Sequence, residues 1–214
     1  AGSEEPCGPR NPYVASGSWR PRTNAGGQKG CAMDFDTRAF RTALGSFPTG
    51  VAVMTTIGAV PGETEDVSHV GITVNSFTSV SLDPPLVLWC IDRRSRRYPA
   101  FACAPGFTVS ILAAGHKAVS SRLAGPGEHR LEGIDLISTE LGPPALADSL
   151  AVFECARESI QDAGDHAILL GRVLRFACHA DVGAPLVYFQ GRYSALAQGT
   201  PPDGIIGRRV TDQE

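Results

Sequence analysis

The chain has 214 residues, of which 43% are hydrophobic, 19% charged and 7% aromatic, and its 19 Lys+Arg against 22 Asp+Glu give a net charge of −3. That length suits one domain or two small ones, with enough apolar content for a real core. The charge gives no global electrostatic case for nucleic acid or an anionic membrane; no apolar run approaches the ~20 residues of a bilayer span, and the first residues lack the apolar stretch of a secretory signal.

Cys7, Cys31, Cys90, Cys103, Cys155 and Cys178 contain no CxxC pair. Structural zinc is therefore not expected, and no metal site is assigned. Cys90 and Cys155 sit in apolar runs, where a free thiol behaves as a small hydrophobe. Reduced thiols and no export signal place the expected protein in the cytoplasm.

Residues 1–32 are rich in Gly and Pro and hold Val14 as the only aliphatic side chain larger than Ala. Such a stretch buries too little to offset its ordering entropy, so it is expected to be a disordered extension. A natural start at Met33 fits this change of composition. The expected organisation is an extension over 1–32, one domain over 33–199 and a loose tail over 200–214.

From Met33 the pattern becomes structured. Phe35, Ala39, Phe40, Ala43, Leu44 and Phe47 recur at helical spacing behind Asp34 as a cap, and Gly45 and Pro48 end the helix. The run 51–57 (VAVMTTI) reads as a buried strand. A polar loop over 58–69 leads to a strand over 70–79, a rigid Asp83-Pro84-Pro85 turn and a strand over 86–91. A short helix over 98–103, a strand over 107–112 and a helix over 114–123 follow. Further strands are expected near 146–155, over 167–177 and over 186–189. Trp89 lies in an apolar strand and is expected in the core. Six or seven strands without regularly alternating helices disfavour a doubly wound parallel sheet. A closed antiparallel barrel with helices outside fits better.

No GxxxxGK[ST], HExxH or GxSxG motif occurs. The segment 125–130 (GPGEHR) lacks the third glycine and the preceding strand of a dinucleotide fingerprint. The informative stretch is 71–85 (GITVNSFTSVSLDPP), dense in hydroxyl and amide side chains. A solvated strand face followed by a turn accounts for it. So does a strand whose polar edge hydrogen-bonds a heteroaromatic ring and a phosphate, because short side chains supply donors and acceptors without blocking close approach.

Four segments in order, 47–56 (FPTGVAVMTT), 71–91 (GITVNSFTSVSLDPPLVLWCI), 164–173 (GDHAILLGRV) and 185–193 (PLVYFQGRY), together resemble the flavin reductase family with the FMN-binding split barrel. The resemblance implies a mainly β, six-stranded antiparallel split barrel with short flanking helices, forming a homodimer. It implies FMN or FAD as flavin and NADH or NADPH as hydride donor, with reduced flavin diffusing to a partner monooxygenase. It maps Pro48, Thr49 and Gly50 onto a turn approaching the flavin, and Thr73, Val74, Asn75 and Ser76 onto the strand facing the ring. Ser81, Asp83 and Pro84 fall at the ribityl chain and phosphate, and Ser95 in a loop near the phosphate. Asp92 stands where Asn is common, which is unfavourable beside a phosphate unless Arg93, Arg94 or Arg96 offsets it. Arg130, in the segment 129–133 (HRLEG), falls at the phosphate or an adenine half, and Leu131 replaces a common Phe.

His166, in the GDH segment, is assigned the nicotinamide side of the pocket, where it positions the nucleotide, and Tyr193 the same side. Each also has an ordinary reading, His166 as a turn residue and Tyr193 as a rim aromatic. The arginines of 93–97 read as a solvated face or as an anion receptor. Hydride transfer needs the nicotinamide C4 within about 3–3.5 Å of flavin N5 and no strong acid or base. A flavin-binding electron carrier, a pyridoxine-type oxidase in a similar barrel and a flavin-free barrel are the rival readings.

Overall fold

The computed structural model describes residues 36–62, 68–125, 130–179 and 182–196. The expected extension over 1–32, Asp34, Phe35, His129 and the tail over 200–214 lie outside these residues. Helix α1 (Thr37–Leu44) is followed by β1 (Thr49–Gly50), β2 (Ala52–Gly58), β3 (Ser68–Val74), β4 (Thr78–Leu82) and β5 (Pro85–Asp92). Helix α2 (Tyr98–Cys103), β6 (Gly106–Ile111), a 3-10 turn over Ala114–His116 and α3 (Lys117–Ala124) come next. The short β7 (Leu136–Ile137) and β8 (Ala145–Leu146) precede the long hairpin β9 (Ala151–Ala163) and β10 (His166–Cys178). The described fold ends with β11 (Leu186–Phe189) and β12 (Arg192–Ala195).

Seven strands form one antiparallel sheet in the order β3-β2-β6-β9-β10-β5-β4, with β1-β11-β12 as a second sheet. The run expected as one strand over 70–79 is cut at residues 75–77. Its halves, β3 and β4, stand at opposite edges of the large sheet. Ser76 spans the split: its hydroxyl accepts from the Cys90 N–H at 3.0 Å and donates to the Cys90 carbonyl at 3.3 Å. One side chain thus satisfies both backbone groups that a ladder partner would. Joining β3 and β4 recovers six strands. The strand expected near 146–155 begins at Ala151 and runs to Ala163, because β10 pairs it all along. Strand β12, unread in the sequence, pairs with β11.

The barrel interior closes on Trp89, fully buried and edge-on to Phe101 and Phe107 at 5.0 and 5.7 Å. Gly171 makes room here, since a Cβ would lie 2.4 Å from the Phe107 ring. The Trp89 N–H is buried without a partner, a cost outweighed by the area the indole buries. A second cluster, with Val53, Leu112, Leu123 and Leu186, fastens α3 and β11 to the barrel. Helix α1 forms as its spacing predicts but buries none of its residues, and Phe40, Leu44 and the following Phe47 are exposed. No described helix is long and apolar enough to cross a membrane.

Candidate functional site

Between α3, β3 and the β11–β12 hairpin lies a cavity of about 750 Å³. Thr73, Val74, Asn75 and Tyr193 of the expected set line it, joined by Val51, Lys117, Ser121, Ala124, Tyr188, Gly191 and Arg192. Its walls are tied together by Ser120, which is fully buried. The Thr73 hydroxyl donates to the Ser120 carbonyl at 2.9 Å, and the Ser120 hydroxyl lies 2.8 Å from the Tyr193 hydroxyl. Tyr193 meets Tyr188 edge-on at 5.5 Å. Thr49 and Gly50 pair with Tyr188 and Val187, which places the 48–50 turn beside this wall. The Thr49 hydroxyl is buried without a partner, and open space faces Gly50.

Helix α3 is moored on three sides. Arg97, buried, donates to the Leu123 carbonyl at 3.0 Å and the Gly125 carbonyl at 2.5 Å. This fills orphan acceptors at the helix C-terminus with a cation, where the helix dipole favours one. Arg122 donates to the carbonyls of Arg130 and Glu132, both at 2.9 Å. Gly71 lets β3 approach, since a Cβ there would lie 2.6 Å from a Leu131 methyl.

The remaining expected residues do not line this cavity. His166 opens β10 opposite Asp92, its Nδ1 2.8 Å from an Asp165 carboxylate oxygen, and does not line the cavity. Asp92 is offset by Arg94, which donates to both its carboxylate oxygens and through its own N–H. These bonds hold the Asp92 carboxyl below its usual range, and hydrogen bonding from His166 does the same for Asp165. Ser95 accepts from the Arg97 N–H at 3.3 Å. Ser81 pairs with Leu86, four residues along β5 from Cys90 or about 13 Å, and a cis bond joins Asp83 to Pro84 beyond it. Arg130 is exposed and ion-paired with Glu132 at 3.6 Å. Pro48 is exposed at the start of β1.

A second cavity, of about 890 Å³, is lined by residues including His116, Asp135, Asp148, Cys178 and His179. It contains none of the expected residues, and two carboxylates disfavour a phosphorylated ligand there. His116 is occupied structurally: its Nδ1 accepts from the Ala113 N–H at 3.2 Å and its Nε2 lies 3.0 Å from the Ala147 carbonyl. No group of metal-binding side chains occurs among the described residues. Lys117, Ser121 and Ala124 escaped the sequence reading. Their i, i+4, i+7 spacing was the available signal that one face of α3 looks into the site.

Comparison with known proteins shows the family to which the chain belongs. The flavin reductase like domain model matches residues 44–197. The chain is 42% identical over 163 residues to the FMN reductase (NADH) SmoA of Agrobacterium fabrum, covering 76% of this chain and 88% of that one. It is 37% identical to HsaB, the reductase subunit of a flavin-dependent monooxygenase from Rhodococcus jostii, covering 82% of this chain and 84% of that one. The Streptomyces globisporus NADH:FAD oxidoreductase, solved with NAD and FAD fragments, superposes with a TM-score of 0.69 at 33% identity, covering 78% of this chain and 94% of that one. A split barrel with a hydroxyl-lined cavity against α3, matched over most of its described length, places the chain in the flavin reductase family.

Proposed function

We propose that the cavity between α3, β3 and β11–β12 holds the flavin ring and leaves one side of it open to a nicotinamide nucleotide. The protein is an NAD(P)H-dependent flavin reductase that uses FMN or FAD and supplies reduced flavin to a partner monooxygenase. The observation that carries the site assignment is convergence. The contiguous Thr73, Val74 and Asn75 and the sequence-distant Tyr193 line one cavity of a size for a tricyclic ring. The neighbouring buried Thr49 hydroxyl and open Gly50 backbone fit close approach of a planar ligand.

Bound flavin supplies the hydride-accepting centre, and the protein supplies orientation and electrostatics. Thr73 is held by the Ser120 carbonyl, so its hydroxyl oxygen stays fixed as an acceptor at the cavity wall. The Asn75 amide, exposed at the wall, offers a donor to a ring carbonyl. Tyr193, braced by Ser120, limits how far a second ring slides along the first. His166 is oriented through Nδ1 by Asp165, which leaves Nε2 to position the nicotinamide nucleotide. The Ser81–Pro84 turn and Ser95 extend the site toward the ribityl chain and phosphate.

The functional unit spans residues 33–199. Val80 and Leu82 on β4 and Leu174 and Phe176 on β10 are exposed apolar side chains of the kind a homodimer would cover. Free Cys90, Cys103, Cys155 and Cys178 support a cytoplasmic setting. Anaerobic mixing with each pairing of FMN or FAD with NADH or NADPH tests the reductase reading. Loss of the flavin band near about 450 nm is expected. No bleaching with any pairing overturns it in favour of an electron carrier.

A further inference from the structure

Residues 75–77 separate β3 from β4, and Ser76 stands at the middle of this break. Strand β4 pairs with β5 from Thr78, opposite Leu88, onward. Two more residues on each strand bring residue 76 opposite Cys90 in the same register. In a regular antiparallel ladder, residue 76 would exchange its own N–H and C=O with those of Cys90. The Ser76 hydroxyl takes both Cys90 groups instead, accepting from the N–H at 3.0 Å and donating to the C=O at 3.3 Å. The side chain thus holds the ladder position of the residue's own main chain. It is committed to β5, whereas the family resemblance sets Ser76 among the ring-facing residues.

Outside the strand ladders, no backbone–backbone hydrogen bond involves residues 75–77 among the described residues. The break is short and anchored at both ends. Val74 before it is buried and pairs with Ala52, and the Phe77 ring at its end lies 5.9 Å from that of Phe153. Asn75, the first of the three residues, is exposed and lines the cavity. Main-chain groups without a ladder partner cost stability unless water or a ligand uses them. At the edge of a cavity they are donors and acceptors of fixed direction, which the edge of a heteroaromatic ring requires.

We propose that Ser76 is a positioning residue: its hydroxyl replaces its own main chain in the β4–β5 ladder and so leaves the main chain of residues 75–77 free to hydrogen-bond the edge of the flavin ring. Ser76 itself touches β5 and not the ligand. The inference rests on reading the cavity as the flavin site. Its effect is confined to the ring, so riboflavin and FMN feel its loss alike.

The test is fluorescence titration of the full chain with riboflavin and with FMN, beside amide hydrogen exchange at Cys90 in the absence of flavin. In Ser76→Ala both flavins should bind about five- to tenfold more weakly, the size of about one net hydrogen bond, with the ratio between them unchanged. The KM for flavin should rise by the same factor at little changed kcat. Ser76→Thr keeps the hydroxyl and should return to within about twofold of wild type. Cys90→Ala keeps both backbone groups that Ser76 holds and should bind like wild type. A merely structural role would lower the melting temperature of Ser76→Ala without this loss of ring affinity. Wild-type affinity in Ser76→Ala overturns the proposal. So does an equal loss in Cys90→Ala, or a Ser76→Thr protein as weak as Ser76→Ala whose Cys90 amide is protected as in wild type. Should Ser76→Ala melt early, Ser76→Cys, whose thiol is a weaker donor and acceptor, gives the same readout at smaller amplitude. Asn75→Ala separates the two levels of the argument. Affinity lost there but kept in Ser76→Ala removes the role of Ser76 alone, while affinity unmoved by both variants removes the reading of the cavity as the flavin site.

Discussion

Around Trp89 the barrel interior is closed by shape, with rings set edge-on and a glycine where the fit is tightest. Around Ser120 the cavity wall is closed by hydrogen bonds, one residue joining β3, α3 and β12. The first region depends on volume and tolerates no polar change. The second depends on direction, and its members are individually small and replaceable in volume. Core substitutions should therefore cost stability first, and wall substitutions should cost ligand affinity first.

The largest effect is expected at the centre of the core. Trp89→Ala should lose about 3–5 kcal/mol, read by chemical denaturation. Gly171→Val should follow at about 1–3 kcal/mol or more, because its side chain enters the space of the Phe107 ring. Either variant melting like wild type would show that the interior is looser than its contacts require.

Arg97 joins the two regions. Arg97→Met should cost about 1–3 kcal/mol by stranding the Leu123 and Gly125 carbonyls. It should also weaken flavin binding, because α3 carries Lys117, Ser121 and Ala124 into the cavity. Normal affinity in a destabilised Arg97→Met protein would separate the helix mooring from the site. Ser120→Ala should cost only about 1 kcal/mol of stability while releasing Tyr193. A rise in KM for the nicotinamide nucleotide at little changed kcat distinguishes this positioning role from a general loosening.

The smallest effect is electrostatic. Arg94 lowers the Asp92 carboxyl, so that pairing stabilises the fold above the usual carboxylate range near about 3.9 and is lost as pH falls through the lowered value. The pair is exposed and screened, so it should not move the melting temperature measurably. An NMR titration of Asp92 should show its midpoint return upward in Arg94→Ala.

The same contrast governs what was legible in the sequence. The core was, because periodic apolar runs such as 51–57 and 86–91 report burial directly; so was Trp89 as a core residue. The break at 75–77 was not, since the residues on either side read equally as strand, and only the return of the chain to the opposite sheet edge cuts them. The extension of β9 to Ala163 was hidden because its outer half is polar and is held by pairing with β10. Thr73, Val74, Asn75 and Tyr193 of the cavity came from the family resemblance. Ser120, Lys117 and Arg192 were invisible because their meaning arises only when α3 faces β12. The arginines of 93–97 misled in the opposite way, since sequence shows the charges but not their partners.

A structure of the protein with FMN bound tests the central claim most directly. The account predicts the ring against residues 73–75, with Tyr193 at its edge and one side open. A ring seated instead in the cavity of His116 and His179, or residues 73–75 turned away from it, would contradict the account.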